Sequence, residues 1–322
     1  MKVVIIILAV VVGLLVVLEV GLRSLFGFGN PLTYVTDEQI GYLLAPTQRT
    51  RRFGNRIEIN QYSMRSPAIS LTRPASTLRV LLLGDSIANG GWWTDQADIL
   101  SVTIGRQMES AVADTAFNQV EVLNASANSW CPRNELAYLQ RYGTFDAQAV
   151  VLLINTDDLF GTAPTSVPVG RDRYYPSSKP PLALIEAFTH FVLPYAPPPE
   201  MAVVNAEGGD RVGANLEAIK KIQTIVHDAD AQFLLAMTPL VRETGSPGPR
   251  DYEVLARDRL NELTRTQKIT YIDFLPLFND AQQPDSLYRD NIHLSSQGDQ
   301  LVCETITRSL QQLLQNLLVV HG

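Results

Sequence analysis

The chain opens with an unbroken hydrophobic run. Val3 to Leu18 carries no charged side chain, and the run reaches Leu22 with one interruption at Glu19. A helix with no polar face has nothing to turn to water, and about twenty helical residues span about 30 Å, enough to cross a bilayer. The pattern predicts a membrane anchor over residues 1–29. A cleaved signal peptide is the rival reading, because Lys2 supplies a short positive start. No small-x-small cleavage site follows the run, and Phe26-Gly27-Phe28 suits one poorly, so an uncleaved transmembrane helix is favoured. Lys2 and the α-amino group favour the N-terminus inside, whereas Arg23 and the cluster Arg49, Arg51, Arg52 and Arg56 pull the other way. That cluster lies beyond the short window in which flanking charge decides orientation. The rest of the chain is therefore expected outside the cytoplasm.

Residues 30–76 read as a short β-rich extension. Arg56-Ile57-Glu58-Ile59-Asn60 alternates with period two, and Pro67 and Pro74 then break the chain. From residue 77 onward, short apolar runs alternate with helical periodicity. Strands are expected at Leu78–Gly84, Val120–Ala125, Ala149–Asn155, Gln232–Thr238 and Ile269–Leu275, each apolar enough to be buried on both faces. Helices are expected over 98–113, 134–143, 213–228 and 251–264. In the third, Leu216, Ile219, Ile222, Ile225 and Val226 make one face. A final helix starts after Ser295-Ser296, which suit an N-cap, and presents Val302, Ile306, Leu310, Leu313 and Leu317. The alternation predicts an α/β domain over 77–322 with a doubly wound parallel sheet, in which ligands bind beyond the carboxyl ends of the strands. Ser86, Asn128–Ser129 and Asn155–Asp158 fall just past predicted strand ends, and His293 begins the segment after the fifth. One rim gathers them.

An insertion over 160–200 interrupts the alternation. Between Pro164 and Pro199 lie nine of the chain's 19 prolines, with Tyr174, Tyr175, Phe188, Phe191 and Tyr195 among them. A lid or groove wall and a proline-stiffened surface insertion both fit this composition.

Composition narrows the function. A 322-residue chain with 46% apolar residues can bury a large core, and a net charge of −7 argues against a nucleic-acid partner. Cys131 and Cys303 give neither a zinc spacing nor a disulfide framework; Cys303 is expected buried on the last helix, and pairing between the two stays open. Histidine is scarce and the acidic residues are scattered, so no metal is expected. Without Gly-x-Gly-x-x-Gly no dinucleotide cofactor is expected either.

The candidate chemistry lies in two places. Leu81-Leu82-Leu83-Gly84-Asp85-Ser86 reads as a strand ending in a turn that holds a serine, and Asp290-Asn291-Ile292-His293 places an acid three residues before a histidine. Together they supply the nucleophile, base and orienting group of acyl transfer. His190, His227 and His321 have no acidic residue three positions ahead. Asp85 is expected to organise the turn rather than to act as a base. Trp92-Trp93 fits a substrate subsite or core packing, and no role is assigned to it.

Gly84-Asp85-Ser86 resembles the first block of the SGNH (GDSL-type) esterase and lipase superfamily, and Asp290-x-x-His293 resembles its last. The order of elements agrees from about Leu78 to Gln315. The resemblance implies a flavodoxin-like three-layer α/β/α fold, ester hydrolysis without a cofactor, Ser86 as nucleophile, His293 as general base and Asp290 as its partner. It also implies an oxyanion hole made of the Ser86 N–H, a second-block glycine N–H and a third-block asparagine. The chain departs from the family there. Ser129 stands at the glycine's place in Val122–Ser129, and Asn155-Thr156-Asp157-Asp158 puts Asp157 where the asparagine belongs. A carboxylate would repel the oxyanion, so Asn155 is the expected donor; a protonated Asp157, or a site not devoted to simple hydrolysis, is the alternative. The expected function is a membrane-anchored serine esterase acting on an acylated small molecule, glycan or lipid, with an O-acyl group on an envelope or exported glycan preferred. An O-acyltransferase with the same triad and a degenerate domain that binds glycan or protein are the other readings.

Overall fold

The computed structural model describes residues 1–113 and 115–318. Helix α1 (Lys2–Gly21) follows the apolar run, buries no side chain, and widens into a last turn over Leu22–Phe26. It is the one described helix long and apolar enough to cross a membrane. Two antiparallel hairpins follow: β1 (Tyr34–Asp37) with β2 (Gly41–Leu44), and β3 (Gln48–Arg52) with β4 (Asn55–Ile59). The second contains the expected strand. The first was not anticipated, because its strands are too short to show a period.

The hairpins do not stand apart. Ile40, Tyr42, Leu44, Ile57, Ile59 and Met64 are buried in the same apolar cluster as Leu81, Leu83 and Ile154 of the central sheet. Buried Arg65, just after the second hairpin, donates to the carbonyls of Asn89 (2.7 Å), Gly91 (2.6 Å) and Thr94 (2.6 Å). It thereby holds the loop that carries Trp92 and Trp93. Burial pushes its guanidinium down to about 10.

The central sheet contains β5 (Thr77–Gly84), β6 (Gln119–Ser126), β7 (Ala149–Asn155), β8 (Gln232–Thr238) and β9 (Thr270–Asp273), all parallel, in the order β6-β5-β7-β8-β9. All eight residues of β5 and all seven of β7 are buried, which explains their unbroken apolar runs. Between strands come α2 (Ser86–Asn89), α3 (Leu100–Val112), α4 (Pro132–Tyr142), α5 (Ala183–Phe191), α6 (Met201–Asn205), α7 (Arg211–Asp228) and α8 (Asp251–Gln267). After β9 come α9 (Phe274–Asn279) and α10 (Ser296–Leu313).

Two clusters separate the sheet faces. Leu81 and Leu83 meet α4, α7 and α8 through Leu139, Ile219, Ile222 and Leu260. Val80 and Leu82 meet α3, α9 and α10 through Ile104, Met108, Phe274, Val302, Ile306 and Leu310. The result is a three-layer α/β/α domain. Each buried leucine contributes roughly 1.5–3 kcal/mol, and Leu82→Ala would cost about 2–5 kcal/mol.

Two expectations are corrected. The fifth strand stops at Asp273, whose carboxylate accepts the N–H of Leu275 and starts a helix, so Phe274 and Leu275 belong to α9. Leu317 lies beyond α10 and is exposed. The two cysteines are buried and unpaired.

Candidate active site

The sheet order reverses between β5 and β7, the place where doubly wound sheets leave a crevice at their carboxyl ends. At Gly84 a Cβ would stand 2.6 Å from the Leu153 carbonyl oxygen and 2.7 Å from the Ala88 Cβ, so only glycine lets the chain turn this tightly. Asp85 then caps α2, its Oδ1 accepting the Ile87 N–H at 2.8 Å. That is the turn-organising role expected of it. Ser86 becomes the first residue of α2, with its N–H among the unpaired donors of a helix start.

The histidine arrives from a loop built on the same principle. Asp290 Oδ1 accepts the N–H groups of Ile292 (3.0 Å) and His293 (2.8 Å). The loop is closed by the Arg289 N–H donating to the His293 carbonyl at 2.8 Å. The imidazole Nδ1 lies 2.9 Å and 3.1 Å from the two Asp290 oxygens, and Nε2 lies 2.9 Å from Ser86 Oγ. Burial works to raise the Asp290 carboxyl, but the two backbone donors and the imidazole outweigh it and hold it below its ordinary range. An ionised Asp290 fixes the proton on Nδ1 and leaves the Nε2 lone pair facing the hydroxyl. Residues 207 positions apart thus form a contiguous serine–imidazole–carboxylate line. The Trp93 ring meets His293 edge-on, with centroids 4.6 Å apart.

Ser129 lies in the same cavity with φ +58°, a left-handed conformation that favours glycine. The loop therefore adopts the glycine's backbone with a serine in place. The Tyr175 hydroxyl, from the insertion, meets Ser129 Oγ at 2.9 Å and ties the loop down. The backbone N–H groups of Ser86 and Ser129 donate to no other described group.

Asn155 is buried at the end of β7. Its amide nitrogen donates to Asp85 Oδ2 and to Asp158 Oδ2, each at 2.9 Å, and its Oδ1 accepts the Asp157 N–H at 2.7 Å. Both amide hydrogens are engaged, which the sequence gave no sign of. Asp157 stands exposed at the cavity wall and makes no hydrogen bond to Ser86.

Below the serine lies a floor of buried carboxyl groups. Burial raises Asp85 above the ordinary range despite its donors. Burial, then the neighbouring Asp85 and Glu135, push Asp158 far above it. Glu135 of α4 is fully buried, neither of its oxygens has a partner, and burial pushes it well up too. No grouping of these acids with histidine or cysteine forms a metal site among the described residues.

The crevice opens into a cavity of about 1070 Å³ walled by the segment before β1 (Phe28), the second hairpin (Phe53), the insertion (Tyr174, Tyr175) and the loop after α2 (Trp92, Trp93). The insertion is therefore a wall of the site. Arg65 and Glu135 were not foreseen as contributors. Tyr175 was expected only as part of the insertion's aromatic set, and the Trp92-Trp93 pair without a role.

The sequence model of the GDSL-like Lipase/Acylhydrolase family matches residues 82–301. No curated protein matches the chain. Among solved structures, an acetylxylan esterase from Geobacillus stearothermophilus superposes with a TM-score of 0.50 at 11% identity, covering 75% of this chain and 96% of that one. A lipase/acylhydrolase from Enterococcus faecalis gives 0.46 at 15% identity, covering 73% and 95%. At 11% identity the first of these speaks to the fold alone.

Proposed function

Because this chain belongs to the GDSL-like lipase/acylhydrolase family and is a carboxylic ester hydrolase, we propose that it works through an acyl-enzyme on Ser86. The order of its sheet supports the flavodoxin-like description of the fold. As Ser86 Oγ attacks the ester carbonyl, His293 Nε2 takes its proton, and Asp290 steadies the imidazolium. The carbonyl π electrons move to oxygen, and the oxyanion rests on the N–H groups of Ser86 and Ser129. Asn155 becomes the third donor by exchanging its bond to Asp85 for one to the oxyanion. Collapse expels the alcohol, protonated by His293. Water, activated by the same imidazole, then releases the acid. The observation that carries this reading is the pair of 2.9 Å contacts from His293, to Ser86 on one side and to Asp290 on the other.

The helix α1 serves in this proposal as an uncleaved anchor with the catalytic domain outside the cytoplasm. The preferred substrate is an O-acyl group on an envelope or exported glycan, a reading supported by a cavity that mixes aromatic rings with Asp172, Arg173 and Arg211. A fluorophosphonate probe tests the nucleophile. Covalent labelling of the full chain, abolished in Ser86→Ala together with a fall in ester turnover of about 10⁴-fold or more, is the expected result. An unlabelled wild-type chain that still binds acylated glycan would replace the esterase by a binding module.

A further inference from the structure

The insertion helix α5 exposes an apolar face that no described part of the chain covers. Ala183 and Glu186 turn inward, whereas Leu182 (45% exposed), Ile185 (46%), Phe188 (53%) and Val192 (62%) turn outward. Between Pro180 and Pro199 the one charged side chain is Glu186. It is buried, paired with Arg52, and accepts the Gly29 N–H. The outward face therefore carries no charge. A water-facing apolar strip of this kind marks an interaction surface.

The chain itself indicates the occupant. Glu19, in the last turn of α1, accepts the N–H groups of Ala183 and Leu184 at 2.9 Å each. Arg23 donates to the Pro181 carbonyl at 2.9 Å. Twenty residues of α1 measure about 30 Å, so Glu19 stands where a spanning helix leaves the hydrocarbon. These bonds fix the start of α5 at that level. A line of aromatic rings continues from there to the catalytic imidazole: Phe26–Phe53 at 5.7 Å, Phe53–Trp92 at 5.2 Å, Trp92–Trp93 at 5.8 Å and Trp93–His293 at 4.6 Å. Phe53 and Trp92 are exposed and also line the cavity. Aromatic rings of this amphipathic placement belong at a membrane–water interface.

We infer that α5 lies in the bilayer interface beside the anchor, as a second membrane contact that opens the catalytic cavity onto the lipid surface. The inference rests on the anchor reading of α1. It narrows the substrate to acyl esters held at that surface, either membrane-resident or on glycan carried by the membrane. An interfacial helix needs an apolar face seated several ångströms into the headgroup boundary and a polar side turned away. The outward residues and the buried Glu186 of α5 meet both requirements.

The test uses the full chain in nanodiscs of phosphatidylcholine and phosphatidylglycerol. Cys131 and Cys303 are buried, so a thiol-reactive fluorophore goes to an introduced cysteine: Phe188→Cys, with Val10→Cys as the anchor reference and Glu304→Cys on α10 as the distant one. Brominated lipid is expected to quench the dye at 188 about threefold or more over that at 304, and close to that at 10. Quenching at 10 but not at 188 overturns the inference and leaves the anchor standing. No quenching at 10 overturns both. A dye at 188 shielded from aqueous iodide yet untouched by brominated lipid assigns the face to a second copy or another protein, and also overturns it. Ile185 and Phe188 do not line the cavity. Ile185→Glu with Phe188→Glu is therefore expected to keep hydrolysis of a water-soluble short-chain ester within about twofold while turnover of a nanodisc-embedded ester falls about tenfold. Equal retention of both activities overturns the inference. Should the double variant lose both, the uncharged cysteine series decides.

Discussion

Carboxyl groups flank Ser86 on two sides, shifted in opposite directions. On the loop side, Asp290 is half-exposed, accepts two backbone N–H groups and the imidazole, and is held ionised. On the floor, Asp85 and Asp158 are buried, each accepts one backbone N–H and they share the amide of Asn155, Glu135 has no donor at all, and burial pushes all three up. Residue type does not decide which acid carries charge; the supply of donors against the loss of water does. The same serine thus sits between a carboxyl held below its ordinary range and buried carboxyls held above theirs. In the proposed mechanism a second negative charge next to the developing oxyanion would raise the barrier, so the upward shifts on the floor act in the direction that favours the reaction.

This contrast can be broken from either side. The largest effect is expected from the charged side. Asp290→Asn keeps the shape but offers Nδ1 the wrong partner, and kcat should fall about 10²–10⁴-fold with KM little changed; steady-state kinetics on a soluble ester would show it, and a loss below threefold would mean that solvent orients the imidazole equally well. On the floor, Asn155→Ala should lower kcat about 10²-fold. An equal loss in Asp85→Asn would make Asn155 a positioning residue that acts through the Asp85 turn.

Glu135→Met removes a buried acid with no partner, and stability at neutral pH should rise by about 1–3 kcal/mol. The sign follows from linkage. A carboxyl whose folded pKa is raised gives stability below its unfolded value, near 4.5, that is lost as pH rises toward the folded one. The advantage of Glu135→Met over the wild type should therefore widen from pH 5 to pH 8 in parallel denaturant titrations, and an advantage that narrows would assign charge to Glu135 in the folded state. The smallest effect is expected at Asp157→Asn, which restores the family's residue at the cavity wall. A change in kcat within about threefold fits Asn155 as the donor, whereas a gain near 10²-fold would move the oxyanion to Asp157.

Much of this arrangement was legible in the sequence because burial on both faces writes itself as unbroken apolar runs. Four of the five core strands lie within a residue of their expected bounds. The fifth failed where Phe274-Leu275 extends an apolar run past Asp273, since an apolar run alone does not separate strand from helix. Ser86, Asp290 and His293 were legible because the turn chemistry of Gly84-Asp85 and of Asp290-x-x-His293 is local. What joins distant segments was not. The Tyr175–Ser129 bond spans 46 positions, and the two engagements of the Asn155 amide depend on where Asp85 lands after folding. The state of Glu135 depends on burial, which no neighbour in sequence reports.

The carboxylate of Glu19 has a consequence for any form of the protein that loses its first helix. It is the acceptor for the first turn of the helix that walls the substrate cavity. With α1 as the proposed anchor, a peptidase that trimmed the chain after Phe26 would shed a free catalytic body and, in the same cut, strip that wall of its fastening. Solubility and a loosened entrance would then arrive together, so the shed form would differ from the tethered one in selectivity as well as in address.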